Sequence, residues 1–443
     1  MLLSVNLSLI EVRSLIQKTL NSPRDIQQNT SLAASSLGNS NFEFSKEISD
    51  NMPFLLSSQN VFDYLISLGL CTQEEQTLSK IELKPAKNFN LLITLPEGQQ
   101  LLVKQERHNR EGKAVGEFLD EWRIHNFFRT FPEISHIRSY CSEVLHFDAE
   151  NSIIVFNYLS NYRDLADFYI KENFYPTEIA KVVGSILASI HRLSLSRPEY
   201  QQFFQNRENV SSQEPPNLHQ GLDRITPEIY GKVPGDGLKF FTLYQRYDSL
   251  GQAIANLAGA FSPYCLTHND LKLNNILISL NWEQATFQES LSGESAIRLI
   301  DWERCDWGDP ANDLGNLLAS YLQIWLYSIV IGKDIAIEQS LRLATTPLQL
   351  LQPSMAALVA SYLAEFPQVL EHRPDFLERV IQFSGLALIR SIQAILQYEK
   401  RFGNSGICML QVAKSLLCRP EASIPTIFGV QASELYPTNL SRV

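Results

Sequence analysis

The stretch CLTHNDLKLNNILI, residues 265–278, opens and closes on apolar residues yet carries His268, Asp270, Lys272, Asn274 and Asn275 within eight positions. A continuous buried strand has no use for such a run, because every polar group taken out of water needs a hydrogen-bond partner. The run therefore reads as a loop between short apolar strands, with side chains kept for chemistry. The segment IRLID, residues 297–301, ends in Asp301, and its pattern suits a strand pairing with NILISL, residues 275–280, across the polar loop 281–296. Such a hairpin gathers Asp270, Asn275 and Asp301 at one edge. A His-x-Asp-x4-Asn pattern alone arises by chance about 0.05 times in a chain of this length. Its placement beside a second acid at a strand end is what makes it informative.

The trio has a chemical logic. One carboxylate beside a hydroxyl can orient it and accept its proton. A second carboxylate and an amide oxygen are hard ligands suited to Mg²⁺, which binds few protein groups and keeps substrate phosphates and waters. Phosphoryl transfer asks for positioning and charge neutralisation more than covalent chemistry. It is also served by a lysine on a strand elsewhere, and Lys104 in LLVKQ, residues 101–105, is such a lysine, on the sheet face opposite its apolar neighbours. The helix expected at 113–128 offers a carboxylate to hold it, with mid-helix Glu121 favoured and Glu117 the alternative.

Outward from these residues, the pattern predicts a helix at 57–70, strands in KIELK (80–84), NFNLLITL (88–95) and QQLLVKQ (99–105), the helix 113–128, then strands in SEVLHFD (142–148) and NSIIVFNYL (151–159). Three strands, a helix and two strands make a small α+β unit over 56–158. From 159 to 443 the pattern is mainly helical, with amphipathic helices at 176–194 and 238–260 and a long one at 374–402. Residues 1–55 form an N-terminal extension with a Ser-, Asn- and Gln-rich linker, and 196–237 reads as an irregular insertion.

Acids outnumber bases 48 to 37, a net charge of −11, which argues against a nucleic-acid partner. The six cysteines show no C-x-x-C pair or zinc spacing and suit reduced thiols in a cytoplasmic protein. The start, MLLSVNLSLIEVRSL, has no basic leader, and the apolar run 317–332 is too short to span a bilayer. No membrane partner is expected. Tyr321, Trp325 and Tyr327 in that run are read as core packing in preference to a box for a cation.

In LTHNDLKLNNILI, IRLIDWERCDWGDPANDLGN and ILASIHRLS, with weaker support from LLVKQE and SIIVFNYL, the chain resembles the aminoglycoside phosphotransferase and choline kinase superfamily. The resemblance covers about residues 57–400. It implies a bilobal protein-kinase-like α+β fold, with a small antiparallel-sheet N-lobe and a large, mainly helical C-lobe. It further implies an ATP- and Mg²⁺-dependent enzyme that phosphorylates a hydroxyl of an aminoglycoside-, choline- or sugar-like molecule. By this resemblance Asp270 is the catalytic base, Asn275 and Asp301 hold magnesium, and His268 braces the loop. Asp309 and Asp313 of the Gly308-Asp309-Pro310-x-x-Asp313 segment support it. VFNYL, residues 155–159, links the lobes and reads the purine through the backbone around Asn157 and Leu159. One departure is the turn 84–90, which has no glycine to let backbone N–H groups approach the phosphates; Asn88 is the residue that can offer an amide there. A catalytically inactive nucleotide-binding scaffold of the same fold is the alternative.

Overall fold

A computed structural model describes residues 54–109, 114, 116–205, 218, 222, 233, 235–284, 295–330, 339 and 343–436. The polar linker at 21–51, most of the insertion at 196–237 and most of the loop at 281–296 lie outside the described residues. The chain divides into two compact units.

The smaller unit holds 54–122 and 143–159. Its strands β1 (Lys80–Leu83), β2 (Phe89–Thr94), β3 (Gln100–Gln105), β4 (Glu143–Asp148) and β5 (Ile153–Asn157) form one antiparallel sheet in the order β1-β2-β3-β5-β4. Alternation along the strands sorts the side chains onto two faces. Leu91, Ile93, Leu101, Val103, Ile153 and Val155 pack with Val61, Phe62 and Leu65 of the helix Val61–Ser67. Val144, Ile154 and Phe156 take the other face with Phe118, and Leu102 and Trp122 pack against them. The expected order of three strands, a helix and two strands is the order observed.

The helix Glu117–Thr130 begins in this unit, but Arg123–Ser142 clusters with the larger one. The reason lies in its second half. Ile124, Phe127 and Phe128, with Ile134 and Ile137 of a 3-10 segment at Pro132–Tyr140, are buried in the main helical core. That core also rests on the helix Thr177–Ser194 packed against Leu348–Glu365, and on Pro310–Ser328 packed against Phe376–Tyr398, which in turn contacts Asn404–Cys418. Phe376–Tyr398 is the one helix among the described residues long and apolar enough to cross a membrane, and half of its most apolar window is buried inside the protein. Of the apolar run 317–332, residues 317–328 are the C-terminal part of Pro310–Ser328 and are mostly buried, while 331–332 lie outside the described residues.

Two small sheets position the polar loop. Strand β6 (Tyr162–Asp164) pairs with β8 (Ile276–Ser279), and β8 with β9 (Ile297–Leu299), in the register Ile276↔Leu299 and Ile278↔Ile297. This is the expected hairpin. Strand β7 (Cys265–Thr267) pairs with β10 (Asp306–Gly308), which the sequence pattern did not signal because each strand spans three residues. At Gly308 a Cβ would lie 2.2 Å from Thr267 Oγ1, so the two strands close only over a glycine. Gly308→Ala is expected to cost about 2 kcal/mol through overpacking. Urea unfolding checks this, and combining it with Thr267→Ala should recover part of the loss; a silent single substitution would refute the close approach.

Candidate active site

The loop from His268 to Asn275 is held mainly by one carboxylate. Asp313 lies in the first turn of Pro310–Ser328 and is fully buried. Its Oδ2 accepts the backbone N–H of His268 at 2.6 Å, and its Oδ1 accepts that of Asn269 at 2.8 Å. These charge-assisted bonds fix the turn where Asn269 takes a left-handed conformation, φ 60°. His191 Nε2 reaches Asp313 Oδ2 at 3.3 Å, and its Nδ1 reaches the Tyr362 hydroxyl at 2.8 Å. Since a carboxylate can only accept, Nε2 carries the hydrogen. Burial pushes the Tyr362 hydroxyl well above the usual tyrosine range, so it stays protonated as the partner of Nδ1. His191, on the helix Thr177–Ser194, thus belongs to a buried hydrogen-bonded chain that supports the loop.

His268 is also buried. Its Nε2 lies 3.0 Å from the Ile300 carbonyl oxygen, and its ring centroid lies 4.5 Å from that of the fully buried Trp302. It ties the loop to the segment carrying Asp301. Ile300 N–H donates to the Asn275 carbonyl at 3.0 Å, which brings the two segments side by side immediately before Asp301. Asp301 itself is left-handed, φ 61°. Asp309 caps the helix by accepting the Ala311 N–H at 3.0 Å and forms a buried ion pair with Arg379. Arg379 lies on a distant helix and had no sequence signal.

Asp270 is partly exposed. Its Oδ2 accepts from Lys272 Nζ at 2.9 Å and from Asn275 Nδ2 at 3.3 Å, while Asn275 Nδ2 also donates to the Asp270 carbonyl at 2.9 Å. Its Oδ1 accepts no hydrogen bond among the described residues, and Arg304 Nη1 stands 4.0 Å away. One oxygen is oriented and the other is open. The same bonds commit the amide nitrogen of Asn275 and leave its Oδ1 without a donor among the described residues. That oxygen and the Asp301 carboxylate are the hard donors a Mg²⁺ ion prefers. No group of three or more His, Cys, Asp or Glu suited to a metal occurs among the described residues. Two such donors suit an ion that takes few protein ligands and keeps phosphate oxygens and waters.

Asp270 opens onto a cavity of about 300 Å³ within the helical unit, walled by the loop, by Pro310–Ser328 and by Phe376–Tyr398. Tyr327 lines it; Tyr321 is fully buried and shares a 3.0 Å hydrogen bond with Tyr169.

In the smaller unit, Lys104 faces the sheet side of Leu102, Ile154 and Phe156, with its ammonium 5.1 Å from the centre of the Phe156 ring. Glu121 is buried on the helix that covers this face. Glu117 is instead paired with Lys87, in the turn 84–90, so the alternative partner for Lys104 is already engaged. Asn88 is half-buried in the same turn. Asn157 lies within β5 and donates its side-chain amide to Glu143 at 3.0 Å, and the Tyr158 N–H donates to Gln100. Within 157–159, the Leu159 N–H is the backbone donor left open among the described residues.

The sequence profile of the APH phosphotransferase enzyme family matches residues 92–332, more than half of the chain. The chain belongs to this family. It is 25% identical over 188 residues to the 4-hydroxytryptamine kinase of Psilocybe cyanescens, covering 42% of this chain and 47% of that enzyme, so it spans about half the length of the curated relative it matches. It is similar to solved structures of a choline/ethanolamine kinase family protein from Mesorhizobium loti (TM-score 0.43, 16% identity, 84% of this chain and 99% of the other) and of a choline kinase from Streptococcus pneumoniae (TM-score 0.38, 14% identity, 81% and 98%).

Proposed function

We propose that this member of the phosphotransferase family moves the γ-phosphate of ATP to a hydroxyl of a small molecule. The observation that carries the proposal is the asymmetric setting of Asp270. Lys272 and Asn275 hold one oxygen, the other accepts no hydrogen bond among the described residues, and the residue lines a cavity sized for a small alcohol. The open oxygen accepts the acceptor's proton as the new oxygen–phosphorus bond forms and the bond to the leaving ADP oxygen breaks. Asn275 Oδ1 and Asp301 would hold Mg²⁺, which when bound neutralises phosphate charge. Lys104, with Glu121 behind it, is assigned to the nucleotide phosphates, Asn88 to a side-chain contact with them, and the Leu159 backbone to the purine. Asp313, Asp309 and His268 keep the loop in shape.

The test is Mg²⁺-dependent ADP release by purified protein with a panel of small alcohols. Release that rises with an alcohol and disappears with chelator is expected. Nucleotide binding with no alcohol-dependent release from a broad panel would favour the scaffold alternative.

A further inference from the structure

The cavity at Asp270 carries an unexpected charge. The chain is acidic overall, at −11, yet the charged side chains lining this cavity are Lys272, Arg304 and Arg390 against the single acid Asp270. Lys272 is committed to Asp270 at 2.9 Å, and Arg304 comes no closer than 4.0 Å to it. Arg390 makes no ion pair or hydrogen bond among the described residues. It stands on the wall formed by one face of Phe376–Tyr398, beside Ala387, Ser391 and Ala394, and its side chain is exposed to solvent. Two guanidinium groups thus face one cavity with no carboxylate to offset Arg390.

Cations gathered around one cavity favour an anion that enters it. The guanidinium fork matches the two oxygens of a carboxylate or phosphate. A cationic alcohol would add a third repulsion. We propose that the acceptor is an anionic alcohol, bearing a carboxylate or a phosphate besides its reactive hydroxyl, and that Arg390 is the positioning residue that holds the anion, assisted by Arg304. This rests on the phosphotransferase reading and names its acceptor class.

The experiment compares kcat/KM for ADP release across size-matched alcohols: hydroxy acids such as glycerate, phosphate esters such as glycerol 3-phosphate, neutral glycerol, and cationic choline and ethanolamine. Mg·ATP binding is measured separately by calorimetry. The expected result is that an anionic class wins, with the carboxylate and phosphate arms identifying which anion is held. Arg390→Ala then raises the KM of that acceptor at least about tenfold, the range of a charge-assisted hydrogen bond, with the KM for Mg·ATP moved by less than about twofold. Arg390→Lys, which keeps the charge, should recover part of the loss. A cationic or neutral alcohol as best acceptor overturns the inference. So does an Arg390→Ala effect that falls on Mg·ATP, or a failure of both anionic classes to be turned over by a protein that binds Mg·ATP. Absence of Mg·ATP binding instead removes the phosphotransferase reading beneath it.

Discussion

Asp270→Asn is expected to lower kcat about 10³-fold, the middle of the range for loss of a positioned general base. The substitution keeps the shape of the side chain and leaves an oxygen that can accept from Asn275. It removes the proton acceptor facing the cavity and the charge that holds Lys272 at 2.9 Å. Because Asp270 is partly exposed, folding should change little. Mg·ATP affinity should stay within about twofold, since the assigned phosphate and metal ligands are other residues. Pre-steady-state measurement of the chemical step, beside a nucleotide titration, separates these effects. A variant whose chemical step runs within threefold of the parent would mean that another group takes the proton.

Much of the fold was legible because its signals are local. The alternation in 80–105 and 142–159 showed which residues meet in the sheet, and the apolar flanks of 265–278 showed a loop set between strands. Other features depend on contacts distant in the chain. Nothing in ASIHRL distinguishes a packed histidine from one bonded to Asp313, 122 residues later. Arg379 and Arg390 sit in a helix whose pattern is core-like throughout, and only its packing against Pro310–Ser328 sends one to Asp309 and the other to the cavity. The strand at 306–308, which pairs with 265–267, is too short to carry a period. The helix from Glu117 to Thr130 was assigned wholly to the smaller unit because its pattern is continuous, although Phe118 and Phe127 are buried in different cores. The charges that line the cavity, Asp270, Lys272, Arg304 and Arg390, come from three separate parts of the chain, so no local pattern marks them as one site.

The second large effect is expected at a residue that never meets substrate. Asp313→Asn should destabilise the helical unit by about 3 kcal/mol, from the loss of charge-assisted bonds and the orphaning of a buried donor. The carboxylate supplies two acceptor atoms to three donors: the N–H groups of His268 and Asn269, and His191 Nε2. An asparagine offers one oxygen, and its Nδ2 must point at a group that also donates. At least one buried backbone N–H loses its partner. The cost continues along the chain, because Asn269 holds its left-handed conformation, itself worth about 1 kcal/mol of strain, against that support. Asp270 follows directly and would lose its aim, so kcat should fall about 10²-fold even well below the unfolding midpoint, as misplacement of a reacting group by about 1 Å does. Urea unfolding and turnover on the same preparation check both effects. Lost stability with full turnover would show that the Asp313 bonds support folding without setting the loop; unchanged stability would mean the buried carboxylate is not the anchor its hydrogen bonds indicate.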